Sequence, residues 1–328
     1  MKDMKETDIN ASGLKTADSN APERKISEHK QKKYFSDKNV FYYTMLAWPI
    51  LQFVVFYILP RINAIMYSFQ QYDLLDNRVI WSFEPIKQAF TQLTSSPAML
   101  SVMKTTLLSF VVCTGIGTPL GLMFAYYISK KLAGAGLFRI LLFLPSVISA
   151  IVMVTIYRFF VERAVPEIVS MLFGMRIKGL MENPDTRFAT IMFYNIWVSF
   201  GVNVLMYSNA MSGIAPETVE AAQIDGATKL REFVSISLPG IFPTLTTFLI
   251  TGVAVIFTNQ YNMYSFYGEY APSGLANFGY YFYNTTQSAA SRAEYSVISA
   301  IGLLLTCIAL PLTLLVKWAL EKFGPSEE

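Results

Sequence analysis

Six long apolar runs follow a polar beginning and are separated by polar segments of unequal length. They lie at about residues 41–62, 104–128, 138–160, 188–211, 240–262 and 295–318. Each is long enough to cross a hydrocarbon core of about 30 Å as a helix rising about 1.5 Å per residue. The pattern predicts an all-α polytopic membrane protein with six transmembrane helices over 41–318. Pro49, Pro60, Pro119, Pro145, Pro243 and Pro311 fall inside or at the ends of the runs. Lipid tolerates such breaks where neighbouring helices satisfy the freed carbonyls. Gly115, Gly117 and Gly121 in the second run allow close helix approach.

Composition agrees. Of 328 residues, 53% are hydrophobic and 15% are charged, against about 25% charged in an ordinary soluble domain. That excludes a disordered chain, a disulfide scaffold and a typical soluble enzyme. A net charge of +3 gives no argument for a nucleic-acid partner. Cys113 and Cys307 sit in apolar runs and read as small core hydrophobes. The single histidine, His29, lies in the polar beginning, so no His-based catalysis and no multi-histidine metal site is expected. No phosphate-cradling G-x-x-x-x-G-K-[ST] run occurs, so the chain is not expected to hold ATP by the P-loop route. No catalytic set, metal or cofactor is expected.

Residues 1–40 read as a mobile cytoplasmic tail, without the apolar h-region of a cleaved leader. Of the 26 Lys and Arg, 16 fall on segments that are internal if the N-terminus is inside, including Lys130, Lys131 and Arg139 beside the second and third runs. Basic residues favour the cytoplasmic side, so both termini, including 319–328, are expected there. The outer loops at about 63–100, 161–187 and 263–294 are long and mix aromatic with polar residues.

The inner segment 212–239 reads SGIAPETVEAAQIDGATKLREFVSISLP. Pro216 suits the first position of a helix, and Glu217 and Glu220 suit its positive end. Asp225-Gly226 then turns the chain, since glycine reaches left-handed dihedrals freely. A second helix starts near Thr228, places Leu230, Phe233 and Val234 on one side, and stops at Pro239. The product is a helix–turn–helix between two spans.

Glu220-Ala221-Ala222, then Asp225-Gly226-Ala227, Phe233 and Ile236-x-Leu238-Pro239 resemble the EAA loop of the permeases of binding-protein-dependent ABC importers, in their carbohydrate branch. AWPILQFVVFYILPRINAIMYSFQQYD, the stretch from Lys104 to Val152 and Asn195-x-Trp197 extend the resemblance over about 40–318. It implies a bacterial plasma (inner) membrane location and a cytoplasmic coupling helix that docks in a cleft of an ATPase. It also implies a second homologous permease as heterodimer partner, two ATPase subunits, an extracytoplasmic solute-binding protein and a sugar as cargo. Two departures stand out. FYGEYAPSG replaces the usual Gly-Gly-Pro element after the fifth run, and Lys104-Thr105 replaces an Asn-Thr pair.

Asn195, Ser199 and Val202 share one face of the fourth helix, which the family turns towards sugar. Gly252, Val255, Ile256 and Asn259 are expected on one face of the fifth. Asn195 and Asn259 can donate and accept, which suits sugar hydroxyls and hydrogen bonds between helices equally. The aromatics of FTNQYNMYSFYGEYA and FGYYFYNTT read by default as interfacial anchors. Arg158, Glu162 and Arg163 read as boundary markers. The competing function is a secondary carrier or channel that needs no ATPase; few buried charges run through the spans to support it.

Overall fold

The computed structural model describes residues 24–73 and 78–325, with side chains for 39–72 and 78–325. Residues 1–23 of the expected tail, residues 326–328 and the side chain of His29 lie outside the described residues. The chain divides into two units, one ending at Asn63 and one beginning at Ala64.

In the first unit α1 (Arg24–Phe53) is helical well before residue 40. A five-residue π turn, Val54–Ile58, leads into α2 (Leu59–Tyr67), whose last residues, from Ala64, fall in the second unit. In the second unit a hairpin of β1 (Gln70–Asp73) and β2 (Arg78–Trp81) precedes α3 (Glu84–Ser95), α4 (Pro97–Ser129) and α5 (Ala135–Val147). Then come α6 (Ala150–Phe159), α7 (Val165–Phe173), α8 (Pro184–Ser212), α9 (Pro216–Ile224) and α10 (Lys229–Glu232). The chain ends with α11 (Leu238–Gly240), α12 (Phe242–Ala254), α13 (Met263–Tyr267), α14 (Phe278–Ser288) and α15 (Arg292–Phe323). Among the described residues the small hairpin is the one departure from an all-α reading.

Among the described residues, four helical stretches are long and apolar enough to cross a bilayer: Asn39–Tyr67, Pro97–Ser129, Pro184–Ser212 and Arg292–Phe323. Two bent pairs bring the number to six if each pair is one span. The expected third span over 138–160 is covered by α5 and α6, joined at Ile148–Ser149 with a 107° bend. Pro145 removes a ladder donor near the end of α5, and Ser146 Oγ donates to the Phe143 carbonyl at 2.7 Å. The expected fifth span over 240–262 begins inside α11, bends by 68° at Ile241 and loses its helix after Ala254.

Three π turns share one cause. Val54–Ile58, Phe160–Ala164 and Phe233–Ser237 each end two residues before a proline: Pro60, Pro166 and Pro239. Proline cannot donate to the carbonyl four residues back, and its ring crowds that carbonyl. One i→i−5 turn widens the helix enough to admit it; Leu238 N–H accordingly donates to the Phe233 carbonyl. The helix therefore runs through Pro239 to Gly240 rather than stopping at it.

Helix starts follow local chemistry. Asn183 caps α8 by accepting from Asp185 N–H at 3.1 Å, ahead of Pro184. Ser291 caps α15, its Oγ accepting from Glu294 N–H at 3.4 Å, while the Glu294 carboxylate reaches back to accept from Ala290 N–H at 3.2 Å. The core of this unit centres on α8. Leu122, Ala125 and Ile128 of α4 pack with Phe200, Val204 and Tyr207 of α8. Met153, Val154 and Tyr157 of α6 pack with Ile191, Met192 and Tyr194 of α8. Gly201 lets α5 approach: a Cβ there would lie 2.9 Å from the Leu142 carbonyl oxygen.

The aromatics after α12 are not simply interfacial anchors. Phe257, Tyr261, Phe266, Phe278 and Tyr280 are buried in the protein core, although Tyr270 is 86% exposed. The departures from the family pattern are held here too. Thr105 Oγ1 donates to the Gly274 carbonyl at 2.9 Å, and Thr106 Oγ1 accepts from Phe278 N–H at 2.9 Å. Tyr280 Oη donates to the Gly268 carbonyl at 3.0 Å and accepts from Ala271 N–H at 3.1 Å.

Candidate functional site

The 212–239 segment folds as its residues dictate. Pro216 starts α9 with Glu217 in its first turn, and Asp225 caps its end. Gly226 has φ 77°, the left-handed turn that glycine permits. Thr228 caps α10, its side chain accepting from Arg231 N–H at 3.3 Å. Glu220, Ala221, Asp225 and Gly226 are exposed; Ala222, Ala227, Phe233, Ile236, Leu238 and Pro239 are half-buried. Ile224 is 86% and Leu230 72% exposed, so the segment offers apolar side chains beside its acids. Phe233 is turned away from them: its ring lies 5.1 Å, edge to face, from Tyr126 of α4.

The residue that fastens this segment is one that pattern reading missed. Glu232 is 3% exposed. Its carboxylate forms an ion pair with Lys130, which follows α4. It also accepts from Gln223 Nε2 of α9 at 3.2 Å, and Tyr126 Oη lies 3.2 Å from it. The Tyr126 hydroxyl shares its proton with the Lys229 carbonyl, 3.1 Å away. Burial penalises a carboxylate heavily, and a cation with further donors is what makes it tolerable. A sequence signal existed. Glu232 directly precedes Phe233 of the expected inner face, and the Lys130-Lys131 pair lies on the other short loop expected on the same side of the membrane.

The expected sugar-facing set is split by the fold. Asn195 is buried and fully engaged. Its Nδ2 donates to the Ile191 and Tyr261 carbonyls, both at 2.9 Å, and its Oδ1 accepts from Asn262 Nδ2 at 2.8 Å. Ser199 and Val202, on the same helix, are exposed. The single helical face expected for Gly252, Val255, Ile256 and Asn259 does not form, because α12 ends at Ala254. Val255 and Asn259 are exposed and Gly252 is half-buried. Ile256, 2% exposed, packs instead among Ala89, Val102, Phe257 and Phe278. Asn259 Oδ1 accepts from Tyr261 N–H at 2.9 Å, so it shapes the turn that Asn195 holds. Among the described residues no group of three or more His, Cys, Asp or Glu could hold a metal.

Residues 117–327 match the family described as the inner membrane component of binding-protein-dependent transport systems. The arabinooligosaccharide transport permease AraP of Bacillus subtilis is 25% identical over 287 residues, covering 86% of this chain and 88% of its own. The multiple sugar-binding transport permease MsmF of Streptococcus mutans is 24% identical over 268 residues, covering 81% and 90%. In fold, the chain is similar to one in the crystal structure of a bacterial alginate ABC transporter in complex with its alginate pentasaccharide-bound periplasmic protein. There the TM-score is 0.72 at 23% identity, covering 85% of this chain and 93% of that one. With the family match spanning well over half of its length, this chain belongs to the inner membrane components of binding-protein-dependent transport systems.

Proposed function

We propose that the chain is one permease subunit of an ATP-driven importer that moves a sugar or oligosaccharide, delivered by a solute-binding protein, across the plasma membrane. The family match over 117–327 carries this reading. The arabinooligosaccharide and multiple-sugar relatives supply the class of cargo. The chain is a transport subunit and breaks no bond itself.

Six spans form half of a pathway, so a second, homologous permease completes it. Two ATPase subunits bind on the cytoplasmic side; the basic flanks Lys130, Lys131 and Arg139 support that side for the 212–239 segment and both termini. The exposed face of α9 and the Asp225-Gly226 turn, with Ile224 and Leu230, offers the apolar and acidic surface that enters an ATPase cleft. ATP binding closes the ATPases and drives this segment as a lever, opening the cavity outward to receive sugar; hydrolysis resets it. Ser199, Val202, Val255 and Asn259 are the exposed members of the proposed sugar-facing set, with Gly252 leaving room beside them. Asn195 supports them from behind by fixing the 259–262 turn.

The test is reconstitution of this chain with its co-purifying partners in proteoliposomes. Uptake of labelled oligosaccharide that requires both ATP and the binding protein is the expected result. Sugar movement by the purified chain alone, down an ion gradient and without ATP, would establish the carrier alternative.

A further inference from the structure

Three connections leave the 212–239 segment. At its start the chain joins α9 to α8 through the non-helical residues 213–215. At its end the chain passes through Gly240 and bends by 68° at Ile241 before α12 begins. Neither is a straight helical continuation. The third is the Glu232 carboxylate. It joins Gln223 of α9 to Lys130 and Tyr126 at the end of α4, across more than ninety residues of sequence. Removing one partner of a buried ion pair leaves an uncompensated charge. The junction therefore resists partial opening, and the elements on its two sides move together.

Beyond the junction, α4 lies along α8 at short range. A Cβ on Gly117 would sit 3.8 Å from Ile196, and one on Gly121 would sit 3.9 Å from Tyr207. Displacement of the α4 end is thus carried into α8, the helix that bears Asn195, Ser199 and Val202.

We propose that Glu232 is the positioning residue through which movement of α9 is delivered to α4 and onward to α8, bypassing the bend at Ile241. This rests on the reading that the 212–239 segment receives the stroke of an ATPase.

The assembled transporter in proteoliposomes provides the test, with ATP hydrolysis and sugar uptake measured in the same preparation. In Glu232→Gln and in Lys130→Met, uptake is expected to fall about tenfold while binding-protein-stimulated hydrolysis holds within about twofold, the scale of a typical coupling between sites. The double variant is expected to be no worse than either single one, because both remove the same junction. Lys130→Arg, which keeps the charge, restores uptake. Tyr126→Phe, which deletes one hydroxyl, is expected to lower the amount of sugar moved per ATP even if Glu232→Gln fails to assemble. Losses that multiply in the double variant, or a constant ratio of uptake to hydrolysis in all of them, would overturn the proposal. If the unaltered chain recruits no ATPase at all, the coupling reading beneath it falls as well, and co-purification separates that outcome from the first.

Discussion

Asn262 donates its side-chain amide to Asn195 Oδ1 at 2.8 Å while its own backbone sits at φ 57°. Tyr261 beside it has φ 47°, and its carbonyl accepts from Asn195 Nδ2 at 2.9 Å. Left-handed dihedrals cost an L-residue about 1–2 kcal/mol each. Two in succession persist because one buried side chain on α8 holds both residues from outside the turn.

Asn195→Ala should release this turn. The Tyr261 carbonyl and the Asn262 amide would each lose a partner, and an unsatisfied buried polar group costs roughly 1–3 kcal/mol. A lower melting temperature of the purified protein and new proteolytic cleavage at 259–262 are the expected outcomes. An unchanged melting profile would mean that Asn195 serves sugar contact and not the frame.

Gly279 and Gly302 should respond in opposite ways to alanine. A Cβ on Gly279 would fall 2.6 Å from the Asn259 carbonyl oxygen and 2.6 Å from Gln260 N, both rigid backbone. At Gly302 its nearest neighbour would be the Phe282 ring at 3.8 Å, an ordinary contact. Overpacking costs about 1–3 kcal/mol, so Gly279→Ala should reduce the yield of folded protein in the membrane. Gly302→Ala should leave it near the unaltered level. Equal yields for the two variants would contradict the close approach of α14 to the 259–262 turn.

Gly226 at φ 77° sets a graded series. Asn visits left-handed dihedrals readily, and proline is locked near −65°. Gly226→Asn should retain uptake, and Gly226→Pro should abolish it while the protein still inserts in the membrane. Asp225→Lys, which reverses the charge that ends α9, should behave like the proline variant. Normal uptake in both disruptive variants would remove the coupling role of the segment.

What the sequence made legible was set by how local each cause is. Pro216, Gly226 and Thr228 shape the backbone within a few residues of themselves, and all three act where the pattern placed them. The run 138–160 reads as uniformly apolar because hydropathy is insensitive to the 107° bend between α5 and α6. A proline inside an apolar run does not say which of its consequences follows. Pro239 is absorbed by a π turn, whereas α5 ends two residues after Pro145. Residues fixed from a distance were the least legible. The turn that follows the end of α12 is held where Asn195, 66 residues earlier, captures Tyr261. Glu232 is buried because Lys130 and Tyr126, about 100 residues earlier, meet it.

Ile256 and Asn259 test the division of the proposed sugar-facing set. A continuous helix would have put them on one face, three residues apart, and substitutions would then have affected cargo handling alike. Because α12 stops at Ala254, Ile256 turns into the core beside Phe257 and Phe278 while Asn259 remains exposed. Ile256→Ala removes packed methyl groups and should cost roughly 2–5 kcal/mol of stability, seen as a lower melting temperature with the preference among oligosaccharides unchanged. Asn259→Ala gives up a hydrogen bond to Tyr261 N–H on the exposed side of the turn. Its stability cost should be nearer 1 kcal/mol. Its main effect should be on uptake, as a higher half-saturating concentration of sugar-loaded binding protein or a changed preference for oligosaccharide length. If Ile256→Ala alters preference and Asn259→Ala does not, the cargo is read by the buried side of this turn, and the exposed residues Ser199, Val202 and Val255 lose their proposed role with it.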